Sequence, residues 1–137
     1  MQYIFDKPVK GSIGLAKYQC SILWRNGNFI ADEPVKSGGQ DLGPDPYTLL
    51  LSSLASCTLV TLRMYIDRKQ WKIDEIEVTL NMYQERQPDK LITTIDRNIQ
   101  FHADITEEQR TRLLQIADAC PISKILEGDI HVKSAIA

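Results

Sequence analysis

The chain has 137 residues, 43% of them hydrophobic, which is typical of one compact domain. Its 16 lysines and arginines against 18 acidic residues give a formal net charge of −2. This balance offers no excess of cations to a nucleic acid or an anionic membrane, so neither is expected as a partner. The amino terminus lacks a basic stretch followed by an apolar run, and we therefore expect no signal peptide and a cytoplasmic location.

The three cysteines are too few, and odd in number, for the disulfide framework of a small secreted protein. Free thiols are the default state in a reducing cytoplasm, so any disulfide here is expected to be transient and redox-active. Cys20 lies in an apolar run and is interpreted as a packing residue. Cys57 and Cys120 lie in segments with further signals.

Residues 1–45 predict strands followed by a loop. Asn26-Gly27 stands between two apolar runs and predicts a β-hairpin with a type I′ turn. The stretch 32–46 is rich in glycine, proline and acidic residues, which predicts an ordered loop or a crossing arm.

A long central helix is predicted over residues 46–70, with Asp45 as its N-cap and Pro46 at its first position. Its centre, 49–62, is apolar or small on every face, which indicates burial on all sides. The apolar run is shorter than the ~20 residues that a membrane span needs, so a transmembrane helix is rejected. Because one sheet covers only one face, a partner subunit is expected to cover the rest.

Residues 71–137 predict a strand pair, two helices and a last strand. The predicted elements are strands over 76–83 and 92–103, a helix from the Thr106–Gln109 capping box to Ala119, a short helix opened by Cys120-Pro121 and ended by Gly128, and a strand over 129–137. This order of elements indicates a single α+β domain over residues 1–137.

Common ligand motifs are absent from the sequence. It contains no GxxxxGK[ST] loop, GxGxxG turn, HExxH helix or paired CxxC, so nucleotide and zinc sites lose their usual support. His102 and His131 each stand alone in strand patterns and are interpreted as packed or surface residues. No metal site is predicted.

The two remaining cysteines differ in their local environments. Cys120 is the predicted N-cap before Pro121, where unpaired backbone N–H groups stabilise a thiolate. Cys57 lies mid-helix among apolar neighbours, which by themselves raise the pKa of a thiol. Taken alone, Cys57 is more often a small buried hydrophobe than a nucleophile, and only a group outside the helix, such as a cation, would activate it.

Two segments of the sequence carry a family resemblance. They are Gly38-Gly39 with the run from Gly43-Pro44-Asp45-Pro46 to Cys57-Thr58, and Cys120-Pro121-Ile122-Ser123-Lys124. Together they resemble the OsmC/Ohr family (osmotically inducible protein C, organic hydroperoxide resistance), in its OsmC-like branch. The resemblance implies an OsmC-like fold, with antiparallel sheets packed around the cysteine-bearing helix in an intertwined homodimer.

The resemblance also implies a thiol-dependent peroxidase that reduces organic hydroperoxides in oxidative stress defence. Cys57 would be the peroxidatic thiolate and Cys120 the resolving thiol, with an external dithiol reducing the disulfide that they form. No metal, haem, flavin or other cofactor is implied, because the thiolate itself attacks the peroxide.

The sequence departs from the family pattern at the first turn of the central helix. A glutamate there usually orients an arginine against the thiolate, but this chain carries Tyr47 and Thr48, and its first arginine is Arg25. Tyr47, Thr48, Arg25 and Glu33 are candidate activating or site-lining residues. The missing carboxylate keeps an alternative open, namely a catalytically weak dimer that binds a small apolar or sulfur-containing ligand.

Overall fold

The computed structural model describes all 137 residues, which divide into two compact units, 1–50 and 51–137. The fold class is α+β, as predicted, with three α-helices and two antiparallel sheets. We describe the two units in turn, and the assignment of both to a single domain stays a prediction.

The first unit contains a three-stranded antiparallel sheet in the order β1–β2–β3. Its strands are β1 (Lys10–Ile13), β2 (Cys20–Trp24) and β3 (Gly27–Ala31). Strands β2 and β3 form the predicted hairpin, with Trp24 paired to Gly27. Cys20, at the start of β2, is half-buried.

The predicted type I′ turn on Asn26-Gly27 is wrong. The turn lies on Arg25-Asn26, and no residue in it has the positive φ that a type I′ turn requires. The reason is that Gly27 is the first residue of β3 rather than a turn residue. A Cβ added to Gly27 would lie 3.7 Å from the indole of Trp24. The Arg25 guanidinium stacks over the same indole, 5.3 Å from the ring centroid, and holds this alternative turn.

Asp32 organises the loop after β3. Its buried carboxylate accepts hydrogen bonds from four backbone N–H groups, those of Tyr18 (3.2 Å), Glu33 (2.7 Å), Gln40 (3.3 Å) and Leu42 (3.2 Å). Burial alone would raise the pKa of this carboxyl, but the four donors outweigh burial and lower it. The prediction of an ordered loop is confirmed, and its one regular element is a short 3-10 turn, Val35–Ser37.

Helix α1 (Pro46–Lys69) begins at the predicted cap. Asp45 Oδ1 accepts hydrogen bonds from the backbone N–H of Thr48 at 3.2 Å and from the Thr48 hydroxyl. The Thr48 bonds lower the pKa of the Asp45 carboxyl against a smaller opposing effect of burial. These bonds satisfy donors that would otherwise be free at the start of a helix.

Only one face of α1 is buried within a single chain. The buried side chains are Leu54, Thr58, Leu62, Tyr65 and Ile66. Val60 and Met64 on the other side are 49% and 62% exposed, so one chain does not provide the predicted burial on all sides. The length and apolar composition of α1 alone would also suit a membrane span, as they do for the core helices of many soluble proteins.

The second unit packs a long hairpin and two helices with α1. Its further elements are β4 (Ile76–Arg86), β5 (Leu91–Phe101), α2 (Glu107–Asp118) and α3 (Pro121–Glu127). The predicted Thr106–Gln109 capping box is present at the start of α2. The core cluster consists of Leu62, Tyr65, Ile66, Ile73, Leu113 and Ala117.

The predicted last strand over residues 129–137 is wrong for the single chain, because this segment forms no strand. Its apolar side chains, Ile130, Val132 and Ile136, are 56%, 86% and 101% exposed. An alternating pattern becomes a strand only when a neighbouring strand pairs with its backbone groups. No strand of this chain pairs with residues 129–137.

Candidate active site

Cys120 links α2 to α3 and is the N-cap of α3, with Pro121 at the first helical position, as predicted. Its Sγ accepts a hydrogen bond from the backbone N–H of Ser123 at 3.4 Å and lies 3.2 Å from Ser123 Oγ. The residue is fully buried. The sulfur therefore replaces the oxygen that caps most helices, and two donor groups of one residue surround it.

Cys57 reaches the same helix end from α1. Its half-buried Sγ accepts a hydrogen bond from the backbone N–H of Ile122 at 3.4 Å. The two thiols are close enough for each to affect the pKa of the other, and both are free. Consecutive N–H groups in the first turn of α3 are thus directed at the two sulfurs, one at each.

The two thiols differ in acidity. Burial raises the pKa of the Cys57 thiol, and the neighbouring Cys120 raises it further, against the opposing effect of the Ile122 N–H. Burial also acts against ionisation of Cys120, but the hydroxyl and N–H of Ser123 outweigh it and lower the pKa of the Cys120 thiol. Of the two thiols, Cys120 is therefore the more acidic, and the neighbouring Cys57 thiol also lowers its pKa.

Thr58 contributes less to the acidity of Cys120 than its position suggests. Its hydroxyl lies beside the sulfur. The single proton of that hydroxyl, however, is donated to the Leu54 carbonyl at 2.7 Å. A hydroxyl can donate only one proton, so Ser123 is the stronger donor to Cys120.

Arg97, on β5, is the residue at this site that the sequence did not reveal. Its Nη1 donates to Thr58 Oγ1 and to Ser123 Oγ, both at 2.9 Å, and its Nη2 donates to Asp118 Oδ1 at 3.0 Å. The side chain is only 12% exposed. The sequence does contain one sign of its position. Side chains alternate along a strand, so Arg97 lies on the same inward face of β5 as Ile99 and Phe101.

The four candidate lining residues make their observed contacts within the first unit. Arg25 stacks on Trp24, and Thr48 is bonded to Asp45. Tyr47 is 60% exposed, and the Glu33 carbonyl accepts a hydrogen bond from the N–H of Asp41 at 3.1 Å. A role for any of these four residues at the cysteines stays a prediction.

His102 is exposed, and its Nε2 lies 3.3 Å from Glu77 Oε1. With Glu75 it completes a surface cluster whose ligand atoms lie within 4.8 Å of one another. All three residues are exposed, and exposed acidic groups often cluster without binding an ion. The cluster gives no reason to assign a metal.

A cavity of about 440 Å³ adjoins the cysteine pair. Arg97 and Ser123 line it, although neither cysteine does, and its apolar lining consists of Leu54, Ile95, Leu114 and Leu126. A larger cavity, about 770 Å³, is lined by Tyr65, Trp71 and residues of α2 and contains neither cysteine. Size alone therefore does not locate the site, and the smaller cavity is the one lined by residues that contact Cys120 and Thr58.

A known protein family matches most of the chain. The family model described as OsmC-like protein matches residues 38–135, well over half of the chain. The chain belongs to the OsmC-like family. Comparison with curated proteins finds no match.

Solved structures show that the chain has the OsmC/Ohr fold. An organic hydroperoxide resistance protein from Elizabethkingia anophelis has a TM-score of 0.72 at 21% identity, covering 97% of this chain and 96% of that one. An OsmC-like protein from Mycoplasma pneumoniae gives 0.71 at 19%, covering 90% of each chain. The organic hydroperoxide resistance protein OhrB of Bacillus subtilis gives 0.66 at 21%, covering 96% and 97%.

Proposed function

We propose that this OsmC-like chain is a thiol-dependent peroxidase that reduces organic hydroperoxides, with Cys57 peroxidatic and Cys120 resolving. The observation that carries the proposal is the meeting of the two thiols at the first turn of α3, each with its own N–H donor. Membership of the family, and a fold shared with proteins named for organic hydroperoxide resistance, support it.

The difference in burial supports the choice of Cys57 for the first step. A peroxide oxygen must approach the attacking sulfur directly, and Cys57 is half-buried whereas Cys120 is fully buried. Only a thiolate attacks efficiently, yet Cys57 is the less acidic thiol. Its proton must therefore pass to a base, and in this mechanism that base is the thiolate of Cys120, the neighbouring and more acidic thiol.

In the first step the Cys57 proton moves to the Cys120 sulfur as the Cys57 sulfur attacks an oxygen of the hydroperoxide. The O–O bond breaks, the departing alkoxide takes that proton from Cys120, and an alcohol leaves. Cys57 is oxidised to a sulfenic acid and the peroxide is reduced. Cys120 is again a thiolate, ready for the second step.

In the second step the Cys120 thiolate attacks the Cys57 sulfur. The S–O bond breaks, hydroxide leaves and takes a proton from solvent, and a disulfide joins the two residues. An external dithiol then restores both thiols by two exchanges and becomes a disulfide itself. The chain supplies the nucleophile, the base and the resolving thiol.

The cavity beside the pair favours an organic hydroperoxide over hydrogen peroxide. Its four apolar lining residues would bury alkyl groups of the substrate, at a gain of about 0.8 kcal/mol for each CH₂ removed from water. Hydrogen peroxide has no carbon to bury, so it would gain nothing from this surface.

We also propose that the chain acts in the cytoplasm as an intertwined homodimer. The exposed apolar side chains Val60 and Met64 on α1, together with those of residues 129–137, supply surface that a second copy would cover. Size-exclusion chromatography with light scattering at several concentrations tests this part separately.

A side-by-side assay of cumene hydroperoxide and hydrogen peroxide consumption, with a dithiol as reductant, tests the enzyme. Wild type should consume cumene hydroperoxide faster, and Cys57→Ser should abolish the reaction. Cys120→Ser should lose the base and the disulfide, so that turnover falls and any sulfenic acid on Cys57 is trapped by dimedone. Cys20→Ser serves as the matched control and should behave as wild type, whereas wild-type rates no better than those of the free dithiol would rule out the peroxidase.

The raised pKa of Cys57 favours one other function, a weakly reactive dimer that binds a small apolar or sulfur-containing ligand. In that case wild type would consume no peroxide, and iodoacetamide would alkylate Cys57 slowly near neutral pH. The same peroxide assay therefore separates the two functions.

A further inference from the structure

Arg97 connects the elements that carry the two cysteines. Its Nη1 donates to Thr58, the residue after Cys57 on α1, and to Ser123, which hydrogen-bonds to Cys120. The guanidinium charge touches neither sulfur. Any influence on the cysteine pair must therefore pass through a hydroxyl group.

Of the two hydroxyls, only that of Ser123 can transmit the charge. Thr58 has its proton on the Leu54 carbonyl. The oxygen of Ser123 accepts from Arg97 and, 3.2 Å away, from the neutral Cys120 S–H; once Cys120 is ionised, the Ser123 proton can turn and donate to the sulfur. A hydroxyl that accepts a hydrogen bond from a cation becomes a stronger donor. The chain Arg97–Ser123–Cys120 thus favours negative charge on the Cys120 sulfur.

We propose that Arg97 is a positioning residue that, through the Ser123 hydroxyl, keeps the negative charge of the cysteine pair on Cys120. The catalytic meaning of this inference rests on the proposed function, because the Cys120 thiolate is the base there. The ionisation of Cys120 itself can be measured without any peroxide.

The other charged groups around the pair are consistent with this assignment. Asp118, on α2, pairs with Arg97 from a side chain that is 59% exposed, so water screens its charge and it mainly orients the guanidinium. Lys124, in the last turn of α3, is exposed. On α1 the group facing Cys120 is the Cys57 thiol, which is neutral when Cys120 is ionised.

Ultraviolet thiolate absorbance against pH tests the proposal in a Cys20→Ser, Cys57→Ser background, where Cys120 is the only thiol. Arg97→Met should raise the pKa of Cys120 by about one unit, a tenfold change in its ionisation constant. Ser123→Ala should give a similar rise, and Arg97→Met added to Ser123→Ala should give no further rise. Arg97→Lys keeps the charge and should restore part of the shift, which a merely structural role would not predict.

Arg112→Met is the matched control, since Arg112 hydrogen-bonds to Tyr65 and Gln115 rather than to a residue at either sulfur. It should leave the pKa of Cys120 unchanged. An unchanged pKa in Arg97→Met, or additive shifts in the double variant, would overturn the proposal. If Arg97→Met does not fold, Ser123→Ala tests the proposal by itself. An unchanged pKa of Cys120 in Ser123→Ala would show that Ser123 does not connect Arg97 to Cys120.

The failure of the proposed function would look different. A wild type that consumes no peroxide overturns the peroxidase, while the titration of Cys120 still decides the role of Arg97. A raised pKa of Cys120 in Arg97→Met, together with peroxide consumption by wild type that Cys57→Ser abolishes, supports both proposals.

Discussion

Replacing Gly43 by alanine should strongly destabilise the loop that precedes α1. A Cβ at this position would lie 1.9 Å from the Ile30 carbonyl oxygen and 2.8 Å from the Ile30 carbonyl carbon. Both are backbone atoms, so no side-chain rotation relieves the clash, and ordinary contact at about 3.5 Å requires a displacement of more than about 1 Å. Such a displacement would also strain the hydrogen bond from the Asp32 N–H to the Pro44 carbonyl at 3.2 Å.

The expected cost of Gly43→Ala is about 3 kcal/mol, combining an overpacking penalty of about 1–3 kcal/mol with about 1 kcal/mol for a weakened hydrogen bond. Denaturant unfolding at a fixed protein concentration measures it. Gly14→Ala makes the same chemical change where no atom lies within 4 Å of the added Cβ. That control should change stability by less than about 1 kcal/mol, in either direction. Equal free energies of unfolding for the two variants would refute the reasoning.

Two further predictions concern the core and the Asp32 carboxylate. Leu62 is fully buried, so Leu62→Ala should cost about 2–5 kcal/mol in denaturant unfolding, against about 0.5 kcal/mol for Leu114→Ala, whose side chain is 57% exposed. The pKa of Asp32 in the folded protein lies below its ordinary value of 3.8. The ionised carboxylate therefore stabilises the fold above pH 3.8, and this stabilisation is lost as the pH falls towards the folded pKa. Unfolding measured from neutral pH to about pH 3 should therefore show a stability gap between wild type and Asp32→Asn that narrows in acid; a constant gap would contradict this account.

Helix boundaries were the most predictable part of the fold, because they depend on neighbouring residues. Asp45, Thr106 and Cys120 each begin a helix as their sequence contexts indicate. A capping side chain needs only the N–H groups two or three positions ahead, and the sequence contains all of this information.

The hairpin turn and the last strand were not predictable from the local sequence signals, because strand pairing determines both. Gly27 carries the sequence signal of a type I′ turn, yet its pairing with Trp24 places it in β3. Residues 129–137 alternate as a strand does, but the sequence cannot indicate whether a neighbouring strand is there to pair with them. In both cases the presence or absence of strand pairing, rather than the local preference, determines the structure.

The candidate site also contains one part that local sequence predicts and another part that it does not. The N-cap position of Cys120 was readable locally, and its pairing with Cys57 came from the family resemblance. Arg97 was not found because its partners Thr58 and Ser123 lie 39 and 26 residues away in the chain. An arginine on a strand is usually a solvent-facing residue. Only the alternation of side chains along β5, which places Arg97 on the inward face, distinguishes this one.

The position of Arg97 changes the meaning of the missing carboxylate at Tyr47 and Thr48. The family arrangement places an arginine and a carboxylate against the peroxidatic thiol, whereas here Arg97 and Asp118 form such a pair on the side of Cys120. In the proposed mechanism the cation therefore stabilises the thiolate that acts first as base and later as resolving nucleophile. In that mechanism Cys57 needs no cation of its own, because the neighbouring Cys120 thiolate takes its proton.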